Sequence, residues 1–550
     1  MANEVVVANA VVVANAVVGA NAVVGANACR ALYGRVSRAP CIKTMKKILL
    51  KNGIVVNGKK SFVADILIEG EKIKKIAKNI KVPGSQCSPL RLASPKGSQC
   101  SPLRLASPKG SQCSPLRLSS PKGSQCSPLQ GNLDLQVIDC KGKYIFPGFI
   151  DGHTHFDLSV AGTTTIDDFA SGTKAAVSGG TTTIIDYGTQ YHGETLKQGL
   201  KNWLAKAKDG VSCDFGVHMS ISEMNDKVRS EIKEMIKEGV TSFKLYTTYD
   251  IKLDDDKLLD ALTEIAKCKG ITGVHCENDG IIKELRANVV GDDNKKVISH
   301  AITRPAVAEA DCVNRLAYMS HITGAAFLAV HVTCEEALNE VKLAKAKGYK
   351  VYGETCPQYL YFDDSVYKKK FDEASKYVCA PPIRKKKDIK ALWKAINDGS
   401  IDIVSTDHCS FTKEQKALGK DDFRKIPGGL NGVEQRGILL FDACLNKKLK
   451  IERMCELLSE NPARLFGLWD RKGFIKEGYD ADFVIIDPKK TTILSIKSQE
   501  SKSDYCAFEG KKLKGKIEKV FLRGRQVVDE NKNIVENTGK FIKRKLYKSF

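Results

Sequence analysis

FIDGHTH, residues 149–155, is apolar on both sides of the chain and ends in two histidines, and seven runs of the same kind follow it. They are TTTIIDY (181–187), DFGVHMS (214–220), TSFKLYT (241–247), ITGVHCE (271–277), FLAVHVT (327–333), YKVYGET (349–355) and IDIVSTDH (401–408). β-Branched and aromatic residues without polar alternation suit a parallel strand covered by helices. Between the runs lie amphipathic stretches such as SEIKEMIKEG (230–239) and KLLDALTEIAKCKG (257–270), each closed by a glycine suited to stopping a helix. Eight strand–helix units in succession predict an α/β fold, the (β/α)8 TIM barrel. An open doubly wound sheet would carry a glycine-rich phosphate loop after its first strand, and none is present.

Outward from this core the chain changes character. Residues 46–82 (ILLKNGIVVNG, FVADILIEGEKIKKI), 131–146 (LQVIDCKGKYI) and 473–530 (ADFVIIDP, KIEKVFLRGRQVV) read as strands and turns. β-Rich segments at both ends of a barrel predict a small β-sandwich domain built from both chain ends. The expected layout is the N-terminal part of that sandwich over 45–147, the barrel over 148–470, and the rest of the sandwich with a basic tail over 471–550.

Two stretches stand outside this plan. Residues 5–28 contain only Val, Ala, Gly and Asn, with Asn9, Asn15, Asn21 and Asn27 at a period of six. That period scatters amides around a helix and leaves no clean lipid-facing side, so residues 1–44 are expected to be a low-complexity extension and not a membrane span. Only Glu4 precedes the apolar run, which argues against a secretory signal; Arg30, Arg35, Arg38 and Lys43 after it have the composition of an organelle transit peptide. Met45 is an alternative start. The second stretch repeats GSQCSPLRLASPK from Gly84, Gly97 and Gly110, with a partial copy from Gly123. A 13-residue unit with two prolines builds neither a solenoid nor a ladder, so 84–130 is expected to be a disordered insertion in a turn of the small domain.

The formal net charge is +23, but the lysines are spread along helices and no nucleic-acid motif accompanies them. No nucleic-acid or membrane partner is expected. The 18 cysteines form no CxxC pair and no disulfide framework, which points to a reducing, cytoplasmic setting.

Polar residues collect where the barrel strands end. His153 and His155 project from one face of the first strand, Lys244 lies in the fourth, His275, His331 and Asp407 end the fifth, sixth and eighth. In a barrel these six meet at one mouth, and His and Asp are good zinc ligands. Taken singly, HxH occurs by chance and Asp407 could cap the next helix; His192, His218, His300 and His321 have no partner logic and read as structural. Lys244 within FKLY is harder to set aside, because burying an ammonium is costly. A neutral lysine amine can add carbon dioxide to give a carbamate, whose two oxygens could each reach one metal ion. A hydroxide between two such ions forms near neutral pH.

GFIDGHTHFDL, GTTTIDDFASGTKAAVSGGTTTIIDY, TSFKLYTTYD, ITGVHCEND, FLAVHVTC, YVCAPPIR and STDHCSF resemble, in order, the cyclic amidohydrolases of the dihydropyrimidinase/hydantoinase group. The resemblance covers nearly all of the chain outside the two odd stretches. It implies two divalent metal ions, usually zinc: one on His153, His155 and Asp407, the other on His275 and His331, bridged by carbamylated Lys244 and a hydroxide. It implies that Asp407 shuttles the hydroxide's proton to the leaving nitrogen and that Tyr249 hydrogen-bonds the oxyanion. The implied reaction opens a small cyclic amide or imide, such as 5,6-dihydrouracil to N-carbamoyl-β-alanine in pyrimidine catabolism, or a hydantoin; the implied assembly is a homotetramer. Two substrate-binding positions depart from the pattern: Ala380 replaces a Ser before PP, and Gly428 replaces an Asn after IP, with Asn431 nearby as a substitute. The segment FDLSVAG (156–162) is expected on the pocket rim, with Leu158 and Val160 facing apolar substituents.

Three other readings compete with this one. Dihydroorotase carries an Arg two residues after HxH, where this chain has Asp157. Allantoinase shares the metal ligands and stays open. A non-catalytic dihydropyrimidinase-related scaffold protein is disfavoured, because all six ligand positions hold competent residues.

Overall fold

The computed structural model describes residues 46–81 and 135–550. The low-complexity extension and the 13-residue repeats lie outside the described residues.

All eight anticipated runs are strands, and they form one parallel sheet in sequence order: Phe149–Thr154, Thr181–Thr189, Asp214–Ser220, Ser242–Tyr246, Ile271–His275, Ala326–Ala329, Val351–Thr355 and Ile403–Val404. A parallel bridge from Thr154 to His408 brings the last strand back to the first. Asp151 and Arg436 reinforce this closure. The Asp151 carboxylate accepts from Thr406 N and Thr406 Oγ1, while Arg436 Nη1 donates to Ile150 O and Val404 O.

Helices cover the outside because their apolar residues recur on one stripe. Asp226–Lys237, for example, is capped by Asn225 and buries Val228, Ile232 and Met235. It ends as expected at Gly239, in the left-handed region at φ 83°. The following helix, Asp255–Lys267, does not stop as its sequence suggests: Lys269 takes the left-handed conformation (φ 57°), and Gly270 is needed for space. A Cβ at Gly270 would lie 2.8 Å from Ile265 Cγ2.

The β-rich chain ends meet in a second sheet. Lys47–Val56, Ser61–Glu69, Lys72–Ala77, Leu135–Asp139 and Tyr144–Pro147 join Phe483–Ile493, Lys512–Leu522 and Arg525–Val528. Lys47–Val56 pairs with Leu135–Asp139 along its first half and with Tyr144–Pro147 further on, after an irregularity between Leu50 and Gly53. Ile48, Leu50, Ile66, Ile68, Phe483 and Phe521 form a core of their own inside it. Among the described residues no helix is long and apolar enough to cross a membrane.

Candidate active site

Of the six residues anticipated as ligands, five stand at or just beyond the carboxyl ends of barrel strands and Lys244 lies in the middle of Ser242–Tyr246; all are buried. His153 Nε2 and His155 Nε2 each lie 3.1 Å from Asp407 Oδ1. His275 Nδ1 lies 3.0 Å from His331 Nε2. The two groups adjoin: the His153 and His331 rings are 5.5 Å apart, and His153, His331 and Asp407 each offer a ligand atom within 4.8 Å of the others. Lys244 Nζ sits 4.7 Å from the centroid of the Tyr187 ring, and that ring also packs against His153 and His155. Among the described residues no carboxylate comes within ion-pair reach of Lys244.

Backbone strain marks the same place. His331 (φ 41°), Asp407 (φ 53°) and Tyr249 (φ 74°) all adopt the left-handed region. Each such residue costs about 1–3 kcal/mol and persists where the surroundings hold it for a purpose. Asp407 therefore turns into the mouth, and Thr412 caps the next helix in its stead.

Carboxylates behind the histidines decide which ring nitrogen is free. His153 Nδ1 donates to Glu354 Oε1 at 2.6 Å, so Nε2 is the nitrogen that faces Asp407. His275 Nε2 donates to Glu277 Oε2 at 2.8 Å, leaving Nδ1 facing His331. Arg304 in turn donates to Glu277. Holding a ligand histidine by its other nitrogen in this way orients it and raises its basicity. Sequence reading missed Glu354 and Glu277; the signal for both was a Glu ending an otherwise apolar strand, in YGET and VHCE.

Burial and charge set the protonation of the cluster. Burial pulls the Lys244 amine down to about 8, although Asp407 and Glu354 work against it. His155 falls to about 4, chiefly through burial. Burial also disfavours charge on His153, but Glu354 and Asp407 outweigh it and raise that imidazole to about 9. Burial would raise Asp407, yet the two neighbouring imidazoles hold it well below the usual carboxylate range. Glu277 is held near 2 against its burial, by Arg304 and His275.

These donors fit a metal. His153 Nε2, the nitrogen that faces Asp407, is buried with no hydrogen-bond partner. His153 Nε2 is close to Asp407 yet not aligned to bond it. Donor atoms 3.0–3.1 Å apart within each group come near the spacing of neighbouring ligands on a tetrahedral ion, whose edges at Zn–N of 2.0–2.1 Å are roughly 3.3 Å.

Of the positions anticipated for substrate, Tyr249 adjoins His275 while Ala380 and Gly428 adjoin each other. Tyr249 is 39% exposed; its ring lies 5.1 Å from that of His275, under the Arg304 guanidinium at 5.2 Å. Ala380 and Gly428 are neighbours: a Cβ on Gly428 would be 3.8 Å from Ala380 N, in ordinary contact, so the glycine is not forced by lack of room. Asn431 Nδ2 donates to Gln499 Oε1 and Tyr505 O. On the rim, Val160 is exposed on a short hairpin (Ser159–Val160 with Thr163–Thr164), whereas Leu158 packs on the barrel's hydrophobic core. The remaining histidines have local partners. His218 bonds Ser242 Oγ and Gly152 O, His300 bonds Cys379 O, His192 bonds Asp250 O, and His321 stacks on Tyr349. His408 pairs with Asp167 at 3.0 Å and accepts from Gly432 N.

The comparisons with known proteins agree with this geometry. The amidohydrolase family model matches residues 144–527. A D-hydantoinase of Streptomyces coelicolor is 39% identical over 397 residues, 72% of this chain and 85% of that protein. A D-hydantoinase of Geobacillus stearothermophilus is 35% identical over 505 residues, covering 91% and 97%. The crystal structure of a dihydropyrimidinase from Brevibacillus agri superposes with a TM-score of 0.80 at 33% identity, over 92% of this chain and all of that one. A site built on a strained Asp and paired histidines at a barrel mouth thus comes with relatives along almost the whole chain, and the protein belongs to the amidohydrolase family, in the group of the D-hydantoinases and dihydropyrimidinases.

Proposed function

We propose that this protein is a metal-dependent hydrolase that opens the ring of a small cyclic amide or imide, a 5-substituted hydantoin or 5,6-dihydrouracil. The observation that carries the reading is the cluster of five buried candidate ligand side chains around Lys244, whose amine burial shifts toward neutrality with no carboxylate in ion-pair reach among the described residues. His153, His155 and Asp407 would hold one divalent ion, His275 and His331 a second, and Lys244, as its carbamate, would bridge them. Zinc suits this nitrogen-rich donor set. Such ions supply Lewis acidity and a water ionised near neutral pH.

The chain's own groups do the rest. Asp407 is held ionised by its imidazole neighbours, so it can take a proton from the attacking water and deliver it to the leaving ring nitrogen. Tyr249 stands half-exposed beside His275, where its hydroxyl can donate to the carbonyl oxygen as negative charge grows on it. Main-chain groups of Ala380 and Gly428 would hold the far edge of the ring. Val160 on the rim hairpin favours an apolar 5-substituent. A cytoplasmic homotetramer is part of the same reading; the twelve cysteines of the described residues, all free, accord with a reducing compartment.

An assay of zinc-loaded protein against dihydrouracil, hydantoin, 5-phenylhydantoin and allantoin tests this. Turnover of hydantoins or dihydrouracil above allantoin is expected. Preference for allantoin would replace the substrate assignment, and metal-replete protein inert to all four would refute it.

A further inference from the structure

Lys416 lies in KEQKALGKDD, a stretch whose charge suggests a solvated helix face. The structure does the opposite. Lys416 is fully buried within the short helix Lys413–Ala417, and its Nζ donates to Val378 O (3.0 Å), Pro427 O (2.7 Å) and Gly429 O (2.8 Å). A lysine ammonium has three N–H donors, and all three are used. Burial pulls the amine down to about 7, while three carbonyl dipoles converging on it favour the charged form.

The three carbonyls are not random. Pro427 and Gly429 flank Gly428, and Val378 stands two residues before Ala380. Val378 O also accepts from Gly429 N at 2.8 Å, so the two segments are bonded to each other as well as to Lys416. The segment at Gly429 abuts Cys409, two residues past Asp407, through Cys409 N to Leu430 O. Gly428 and Gly429 are successive glycines, so ordering this stretch costs more conformational freedom than it would with any other residue type. A binding edge made of main chain works only if that main chain is held to within about 0.5 Å of its productive place.

We infer that Lys416 is a positioning residue for substrate: its ammonium clamps the Val378–Ala380 and Pro427–Gly429 segments into the register in which their main-chain groups hold the substrate ring. The inference rests on the reading of Ala380 and Gly428 as ring-holding residues.

The test is Lys416→Met, which keeps length and removes every donor, compared with the zinc-loaded parent on hydantoin, 5-phenylhydantoin and dihydrouracil, with bound metal measured in both. The expected result is a rise in KM of about tenfold or more, with kcat within about threefold and metal content unchanged. A purely structural role would lower the fraction of folded, metal-loaded enzyme and hence kcat per chain, leaving KM alone; that pattern, or no change in either constant, overturns the inference. If Lys416→Met does not fold, Lys416→Gln, with two N–H donors, is judged by the same KM criterion. A parent inert on the whole panel would instead overturn the functional reading, and the clamp with it, whereas an active parent with an unmoved KM in the variant overturns the clamp alone.

Discussion

Glu354 and His153 are joined by a 2.6 Å hydrogen bond from Nδ1 to Oε1, buried on both sides, and Glu354 Oε1 also accepts from His331 N. One carboxylate at the end of the seventh strand thereby fixes ligand candidates on the first and sixth.

Removing that negative charge while keeping the shape should show what it does. Glu354→Gln is expected to fold and to bind zinc about 10–100-fold more weakly, because the His153 imidazole becomes a poorer donor. Competition with a chromogenic chelator measures this; unchanged affinity would mean that Glu354 only fills space.

Lys244→Ala should lose both bound metal and turnover. Adding a short-chain carboxylate such as acetate or propionate should restore part of each, since it can bridge two ions as the carbamate would. Full activity of the unsupplemented variant would refute the bridge.

The amine of Lys244 in metal-free protein, lowered to about 8, is roughly one quarter neutral at pH 7.5, against on the order of 0.1% for an ordinary lysine. Only the neutral form adds carbon dioxide. Reconstitution of chelator-stripped enzyme with zinc at a fixed concentration of dissolved carbon dioxide should therefore speed up as pH rises and level off above about 8. A rate flat between pH 6.5 and 8.5 would contradict a carbamate-forming step.

Asp407→Asn keeps one ligating oxygen and cannot carry a proton. Turnover should fall by orders of magnitude, with the fold intact and part of the metal retained, as atomic absorption and kinetics would report. Near-normal kcat would move the proton shuttle to another group.

How much of this was legible from the chain follows from the range of the forces involved. Every barrel strand could be read, because a strand covered on both faces lacks polar–apolar alternation and is rich in β-branched and apolar residues, a local property of runs such as TTTIIDY and FLAVHVT. The ligand candidates could be read too, since His153, His155, His275, His331 and Asp407 all sit at strand ends and the barrel brings strand ends together. Glu277 and Glu354 were missed because a strand-terminal Glu looks the same whether it meets solvent or a histidine.

By itself, then, the order of residues determined the barrel, the sheet of both chain ends and the mouth at which the chemistry would gather, since periodicity and strand polarity are written along the backbone. Tertiary structure alone decided which imidazole nitrogens are free, that Tyr249, His331 and Asp407 turn through the left-handed region, and that Lys416 meets three carbonyls and not water. Those outcomes depend on contacts between segments far apart in the chain, and a charged side chain's cost or benefit is set by what closes around it.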